Sequence, residues 1–344
     1  MYSTLIQVKE HLFNVTILLV LAGWLSALIG AVVYFVWQHD LPNKTLAAFF
    51  RYTFPWGLIT NKSTRRDVVF SVINHLTEPF TVAPLVIGTA GASLSVYACL
   101  GWLFGDFSPR PTSTAVWLAT LLAVLFVQDF TTWLTHWAEH KVPVMWEIHK
   151  VHHSLETMTP ISNRRHHPWQ LVWEGGVSGV LAGLTLGVSA YVFQTHVVDN
   201  ALLGVDAYYI ASVLSFYHLR HSHIPLHYGR WEKWFLSPSQ HQLHHSLEVR
   251  DWDRNFGLLT SFWDRLFGTI NYTVSGYRYK IGLQARHSRE YDTVWKFFYT
   301  PIYNICGMAA GLIRTRRRTK IVESDSLSAA QAEMLDIDPS PMPP

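Results

Sequence analysis

The sequence predicts an all-α integral membrane protein, with about four transmembrane helices in two hairpins carrying a cytoplasmic, helical, histidine-rich domain for two metal ions. Three observations point to it. Several apolar runs approach or exceed the ~20 residues needed to cross a ~30 Å hydrocarbon core. The 344 residues are 49% hydrophobic and only 15% charged, with fifteen tryptophans, too little charge for the surface of a soluble domain of this size. Finally, fifteen of nineteen histidines fall between His136 and His245.

In chain order, the apolar run Phe13 to Trp37 reads as a retained first span, because no small-residue cleavage site follows it. Lys44, Arg51, Lys62, Arg65 and Arg66 then crowd the segment from Gln38 to Asp67, which the positive-inside rule places in the cytoplasm. Phe80 to Phe104 and Thr114 to Trp133 make the first hairpin, its tip the breaker Gly105 to Pro111. Leu171 to Phe193 and Ala201 to Tyr217 make the second, around Gln194-Thr195-His196. Both hairpins leave from and return to the cytoplasmic side, so the histidines flanking them meet on one face. The stretch Val294 to Ile313, broken by Pro301, reads as interfacial or re-entrant. Arg314 to Lys320 form a basic block suited to an anionic leaflet, and 321–344 read as a disordered polar tail. Residues 1–320 are thus a single membrane domain with its core at 129–269.

The spacing of the histidines carries the chemistry. His136 and His140 are four apart, whereas His149, His152 and His153, and again His241, His244 and His245, stand at i, i+3, i+4. On helices each set projects from one face. Eight imidazoles exceed what one ion can use, but two ions with open positions can share them. The two cysteines, Cys99 and Cys306, exclude a disulfide framework and a cysteine-held cluster. No Glu-x-x-His, His-Glu-x-x-His or Gly-x-Ser-x-Gly occurs, which argues against a carboxylate di-iron bundle, a zinc peptidase and a serine lipase. Ligating imidazoles need acceptors for their second N–H. Asp129, Glu139, Glu156, Asn163, Asn255 and Asp264 are close enough in sequence to serve, and Asp129, two turns before His136 in an apolar span, is the preferred one.

From Asp129 to Thr269 the chain resembles the fatty acid hydroxylase superfamily, in its sterol desaturase-type branch. The resemblance rests on the three boxes, on Arg165-His166-His167-Pro168, and on the closing Asn255-Phe256-Gly257 with Trp263-Asp264-Arg265-Leu266-Phe267-Gly268-Thr269. It implies a membrane oxygenase with two histidine-bound irons and O2 as co-substrate, attacking an unactivated C–H bond of a lipid such as a fatty acyl chain or sterol. It also implies ligands beyond the eight: His221 is preferred, and His167, His218 and His223 are further candidates. Arg165 belongs to the supporting shell by the same motif. Hydroxylation, desaturation and C–C cleavage stay open as outcomes.

The chain carries no haem, flavin, nicotinamide or iron–sulfur motif, so the expected electron donor is a separate ferredoxin-like or small haem protein with its reductase. Arg164, Arg165, Arg220, Arg230, Lys233, Arg250 and Arg254 are candidates for its docking face. The remaining expected partners are the lipid substrate and the membrane, either a bacterial inner membrane or the endoplasmic reticulum, with no nucleic acid. The competing class is a histidine-rich metal-binding or transport protein without redox chemistry. A transporter is expected to place its ionisable groups at mid-span, whereas these boxes fall at span ends.

Overall fold

The computed structural model describes residues 18, 21–38, 44–197, 210–274, 279–284, 287 and 289–311. Among them there is no strand, only three isolated bridges. The helices are α1 (Leu21–Trp37), α2 (Leu46–Thr53), α3 (Trp56–Ile59), α4 (Lys62–Phe104), α5 (Thr114–Lys141), α6 (Pro143–His153), α7 (Pro168–Phe193), α8 (Tyr217–Arg220), α9 (Pro238–His244), α10 (Phe262–Leu266) and α11 (294–311). The architecture is all-α and of the membrane type. Three helices, α4, α5 and α7, are long and apolar enough to span a bilayer.

Helix α4 starts eighteen residues before the expected Phe80, capped by Asn61, whose Oδ1 accepts from Ser63 N at 2.8 Å. Its 43 residues reach about 64 Å at ~1.5 Å per residue, twice a hydrocarbon core. The first turns bury Ser63, Asp67, Phe70 and Asn74, spaced as one helical face. That face packs on the loop after α6, where Asn74 Nδ2 donates to Arg164 O at 3.1 Å and to His166 O at 2.8 Å. The charges that interrupt the hydropathy therefore mark a part of the helix committed to the histidine domain.

Helices α4 and α7 meet through a run of small residues that the sequence reading passed over. Gly175, Gly179, Gly183 and Gly187 recur every fourth residue of α7. A Cβ on Gly179 would stand 2.4 Å from Leu85 O, and one on Gly183 2.4 Å from Thr89 O. Thr89 and Ser93 face this stripe, buried, with their hydroxyls returned to Leu85 O and Ala90 O. Close backbone approach is the usual means of joining helices where lipid removes the hydrophobic drive.

Helices α4, α5 and α7 keep one end in common. At the far end Arg110 N donates to Gln194 O at 2.7 Å and Tyr191 Oη to Gly105 O at 2.8 Å, tying the two hairpin tips together. The other end carries the histidines. The described part of α1 covers that domain, with Ala27, Ala31, Tyr34 and Phe35 packing on Phe49, Leu219, Ile224 and Leu226. Helix α11, the expected interfacial element, puts Phe297 into a cluster with Phe70, Val151 and Tyr291 and leaves Trp295 and Tyr303 exposed. Residues 201–209 of the return limb of the second hairpin, the basic block and the polar tail lie outside the described residues.

Candidate metal centre

Each box is set by a local feature of the chain. Helix α5 carries His136 and His140 on its last turns and stops at Val142, because Pro143 opens α6 at its first position. The corner points His149 and His153 back at His136 and His140. Helix α9 begins with a capping box in which Ser237 and Gln240 bond each other's backbone N–H groups, at 3.1 and 2.9 Å. That box orients His241, His244 and the following His245.

The side chains resolve into two groups, each with all its ligand atoms within 4.8 Å of one another: His136, His140, His149, His153 and His244, and His152, His221, His241 and His245. The partition cuts across the boxes. In α6 the i, i+4 pair His149 and His153 faces the first group while His152 faces the second; around α9 the pair His241 and His245 faces the second and His244 the first. Each box therefore serves both groups, except the first.

Inside the groups Nε2 atoms face one another. His153 Nε2 is 3.1 Å from those of His140, His149 and His244. His221 Nε2 is 2.9 Å from that of His152 and 3.1 Å from those of His241 and His245. With metal–nitrogen bonds of about 2.1 Å, ligands at right angles stand about 3.0 Å apart and tetrahedral ones about 3.4 Å. The facing Nε2 atoms are thus close enough together to share an ion. Burial, reinforced by the neighbouring imidazoles, pushes the pKa of His152, His153, His221, His241 and His245 well below the usual histidine value. Burial likewise brings His149 and His244 to about 3. The rings are neutral at physiological pH and present lone pairs without charge, so the residues fit a metal pair.

Three of the second ring nitrogens are bonded from outside. His136 Nδ1 meets Phe256 O at 3.1 Å, His152 Nδ1 meets Arg165 O at 3.3 Å and His244 Nδ1 meets Arg254 O at 2.7 Å. His149 Nδ1 lies 2.9 Å from Glu139 Oε2, and His140 Nδ1 lies 3.4 Å from Asp253 Oδ1. The three carbonyl contacts fix the tautomer that leaves Nε2 free for metal.

The structure differs from the sequence expectation on how the carboxylates act. Asp129 touches no histidine: its Oδ1 accepts from Leu259 N and Thr260 N, at 2.8 and 3.1 Å, and its Oδ2 from Thr260 Oγ1 at 2.5 Å. Two turns of α5 separate it from His136, and the amides of the closing segment fill the gap. Asp264 takes Phe256 N and Gly257 N, each at 2.9 Å, fixing the peptide whose carbonyl meets His136. Asn255 bridges Gln240 O and Asn271 N at 3.0 and 2.7 Å. Asn163 is buried in the turn between α6 and α7, and Glu156 pairs with Arg66 at 2.9 Å, away from the histidines.

His167, His218 and His223 stand outside both groups. His167 caps α7, accepting from Trp169 N at 3.2 Å, with its Nε2 3.3 Å from Phe298 O. His218 stacks on Trp24, ring centroids 4.5 Å apart, and His223 Nε2 meets Tyr52 O at 2.8 Å. Arg165 and Arg220, offered as part of a docking face, are fully buried. Arg165 pairs with Asp67 and bonds Ser154 and Ser63, and Arg220 donates to Gly257 O and Leu258 O. Sequence reasoning missed Asp67 because it sits in the charged stretch read as loop. It also missed Gln170, whose Nε2 donates to Glu139 Oε2 at 3.2 Å and to Glu174 Oε1 at 2.8 Å. The signal for it was a polar pair, Gln170 and Glu174, four apart at the head of an apolar run.

Residues 121–269 match the model of the fatty acid hydroxylase family, and this stretch holds all nine histidines of the two groups. Over that stretch the chain is similar to a fatty acid hydroxylase domain. The match opens eight residues before Asp129, within α5, and closes at Thr269 as the sequence resemblance does.

Similarity to characterised relatives is low. A lathosterol oxidase of Mus musculus is 25% identical over 249 residues, 70% of this chain and 69% of that one. An ornithine lipid hydroxylase of Rhizobium tropici is 24% identical over 147 residues, 43% of this chain and 40% of its own. An alkylglycerol monooxygenase of Caenorhabditis elegans is 26% identical over 152 residues, 44% of this chain and 27% of its own. The chain thus spans less than half the length of the last two. No solved structure matches the chain.

Proposed function

We propose that the two histidine groups hold two iron ions and that the protein is an O2-dependent oxidoreductase that hydroxylates or desaturates an unactivated C–H bond of a membrane lipid. The observation that carries this reading is the partition of nine neutral imidazoles, largely buried, into two adjoining groups. Relatives named as a sterol oxidase, a lipid hydroxylase and a monooxygenase of ether lipids support it. Iron bound there would supply the O2 activation that no protein side chain can.

The chain's own part is to bind, orient and keep dry. The carbonyls of Arg165, Arg254 and Phe256 hold the ring tautomers, and the carboxylates of Glu139 and Asp253 lie close to His149 and His140. Trp146, 4.9 Å from His140 and 5.3 Å from His153 between centroids, and Phe256, 5.3 Å from His136, wall the first group with apolar surface. The first group takes His136 and His140 from the end of α5 and the second lies wholly on the short elements, whereas a transporter is expected to place such groups at mid-span. The two electrons each turnover requires come from a separate carrier protein, met on the cytoplasmic side at the exposed guanidinium groups of Arg164 and Arg250. The deciding experiment is iron analysis joined to oxygen uptake: about two irons per chain, and uptake that needs lipid together with a reduced carrier. Iron-free protein with full lipid oxidation would end the proposal.

A further inference from the structure

An apolar groove of about 800 Å³ lies beside the metal centre, lined among others by Val33, Leu214, Leu226, Phe235 and Leu236. Its inner wall is made by segments that carry the ligands. Leu226 O accepts from Ser239 N of α9 at 3.0 Å, Leu236 N donates to Leu259 O at 3.2 Å, and Leu236 directly precedes Ser237, the cap of α9.

The rim of the groove is a 3-10 turn, Gly229–Lys233, and its composition is unusual for a surface facing water. Trp231, Trp234 and Phe235 are exposed. Cations lie over these rings: Arg230 Cζ is 5.4 Å from the Trp231 centroid, and Lys233 Nζ and Arg265 Cζ are 5.5 and 4.9 Å from that of Trp234. The turn's one carboxylate cannot neutralise them, because Glu232 is turned inward onto Ser237 Oγ, Thr273 N and Thr273 Oγ1, at 2.7, 3.0 and 2.7 Å. Among the described residues no acidic side chain pairs with Arg230, Lys233 or Arg265. Indole rings with unneutralised cations match the headgroup layer, where the rings favour the interface and the cations meet acidic lipid.

We propose that the groove takes the acyl chain of a membrane phospholipid whose acidic headgroup rests on Arg230, Lys233 and Arg265. The use made of that lipid, though not its binding, rests on the oxygenase reading above. The headgroup selects the lipid, and the apolar wall leads its chain along the segments that hold His221 and His241.

The test uses full-length protein in nanodiscs with spin-labelled phosphatidylglycerol or phosphatidylcholine, reading the motionally restricted lipid fraction by electron paramagnetic resonance. Phosphatidylglycerol is expected to be retained at least fivefold better, on the order of the gain per cation near an anionic surface. The R230E/K233E double variant should abolish that preference with iron content unchanged. Leu214→Trp, which fills the groove from an exposed position, should lower retention of both lipids. Equal retention of the two lipids, a preference that survives charge reversal, or full retention in Leu214→Trp would each overturn the proposal. So would a reversal that spares lipid retention and instead slows reduction by an acidic carrier protein. Retained phosphatidylglycerol with no turnover of any lipid would overturn the oxygenase reading and leave the groove assignment standing.

Discussion

His149 Nδ1 and Glu139 Oε2 stand 2.9 Å apart, a close approach that joins α6 to α5 behind the first histidine group. Glu139 is buried, and Gln170 Nε2 holds it in place at 3.2 Å. Glu139→Ala is expected to weaken iron retention about 10–100-fold, the usual cost of losing such a support. Glu139→Gln keeps an oxygen acceptor and should cost less. Iron remaining under competition with a chelator measures both. If the alanine variant held iron as tightly as the parent, the contact would be packing alone.

The partition of the boxes predicts a pattern that their order in the chain does not. His152 and His244 belong to boxes of the same spacing yet face different groups. Replacing either with alanine should leave about one firmly held iron per chain, and the double variant none. His218→Ala and His223→Ala should keep both irons, since Trp24 and Tyr52 O occupy those rings. Iron content with Mössbauer spectroscopy of each variant checks this, and two intact irons in His152→Ala would refute the assignment.

The sequence showed the boxes because helical spacing of one residue type is visible in one dimension. It did not show their crossing, because the i+3 member of each i, i+3, i+4 set points off the i, i+4 face, toward whatever the fold brings there. Asp129 illustrates the second limit. A carboxylate in an apolar span has to find donors, and its reading as a histidine partner followed from chain distance, but Leu259 and Thr260 supply those donors from 130 residues away. The spans were legible where the lipid-facing surface is continuous, as in α5 and α7. They were not in α4, whose first turns trade lipid for the loop holding Arg165.

Arg165 and Asp67 form a fully buried ion pair between that loop and α4. Removing one partner strands the other charge. Asp67→Ala should therefore lower stability by about 3–5 kcal/mol, and with it the placement of Arg165 O against His152. Glu156→Ala breaks a pair with Arg66 in which the glutamate is half exposed and should change stability by under about 1 kcal/mol. Thermal unfolding in detergent compares them; equal effects would mean that the buried pair is no more than a surface contact.

Topology can be read by labelling single cysteines in a Cys99→Ser, Cys306→Ser background. Ser108 sits exposed at the tip of the first hairpin, and the Arg250 side chain is 65% exposed on the histidine domain. With the basic segment before Asp67 inside, Ser108→Cys in intact cells should react with a membrane-impermeant thiol reagent and Arg250→Cys should not. Reaction of both from outside would put the metal centre on the other face.

The glycine stripe of α7 gives the sharpest packing test. A Cβ at Gly183 would meet Thr89 O at 2.4 Å, Ala92 Cβ at 2.9 Å and Thr89 C at 3.0 Å, two of the three being backbone atoms of α4 that cannot rotate away. The helices would have to separate, and with them the two elements that carry Asn74 and Gln170 toward the histidines. Gly183→Val should cost at least the ~1–3 kcal/mol of an overpacked core and loosen iron as a secondary effect. Gly91→Val, on α4 at a position with nothing within 4 Å of the added Cβ, should stay within about 1 kcal/mol, the scale of a helical propensity change. Thermal stability and iron content of the pair separate close packing from helix propensity. A Gly183→Val protein as stable as Gly91→Val would show that α4 and α7 do not rely on backbone contact along this stripe.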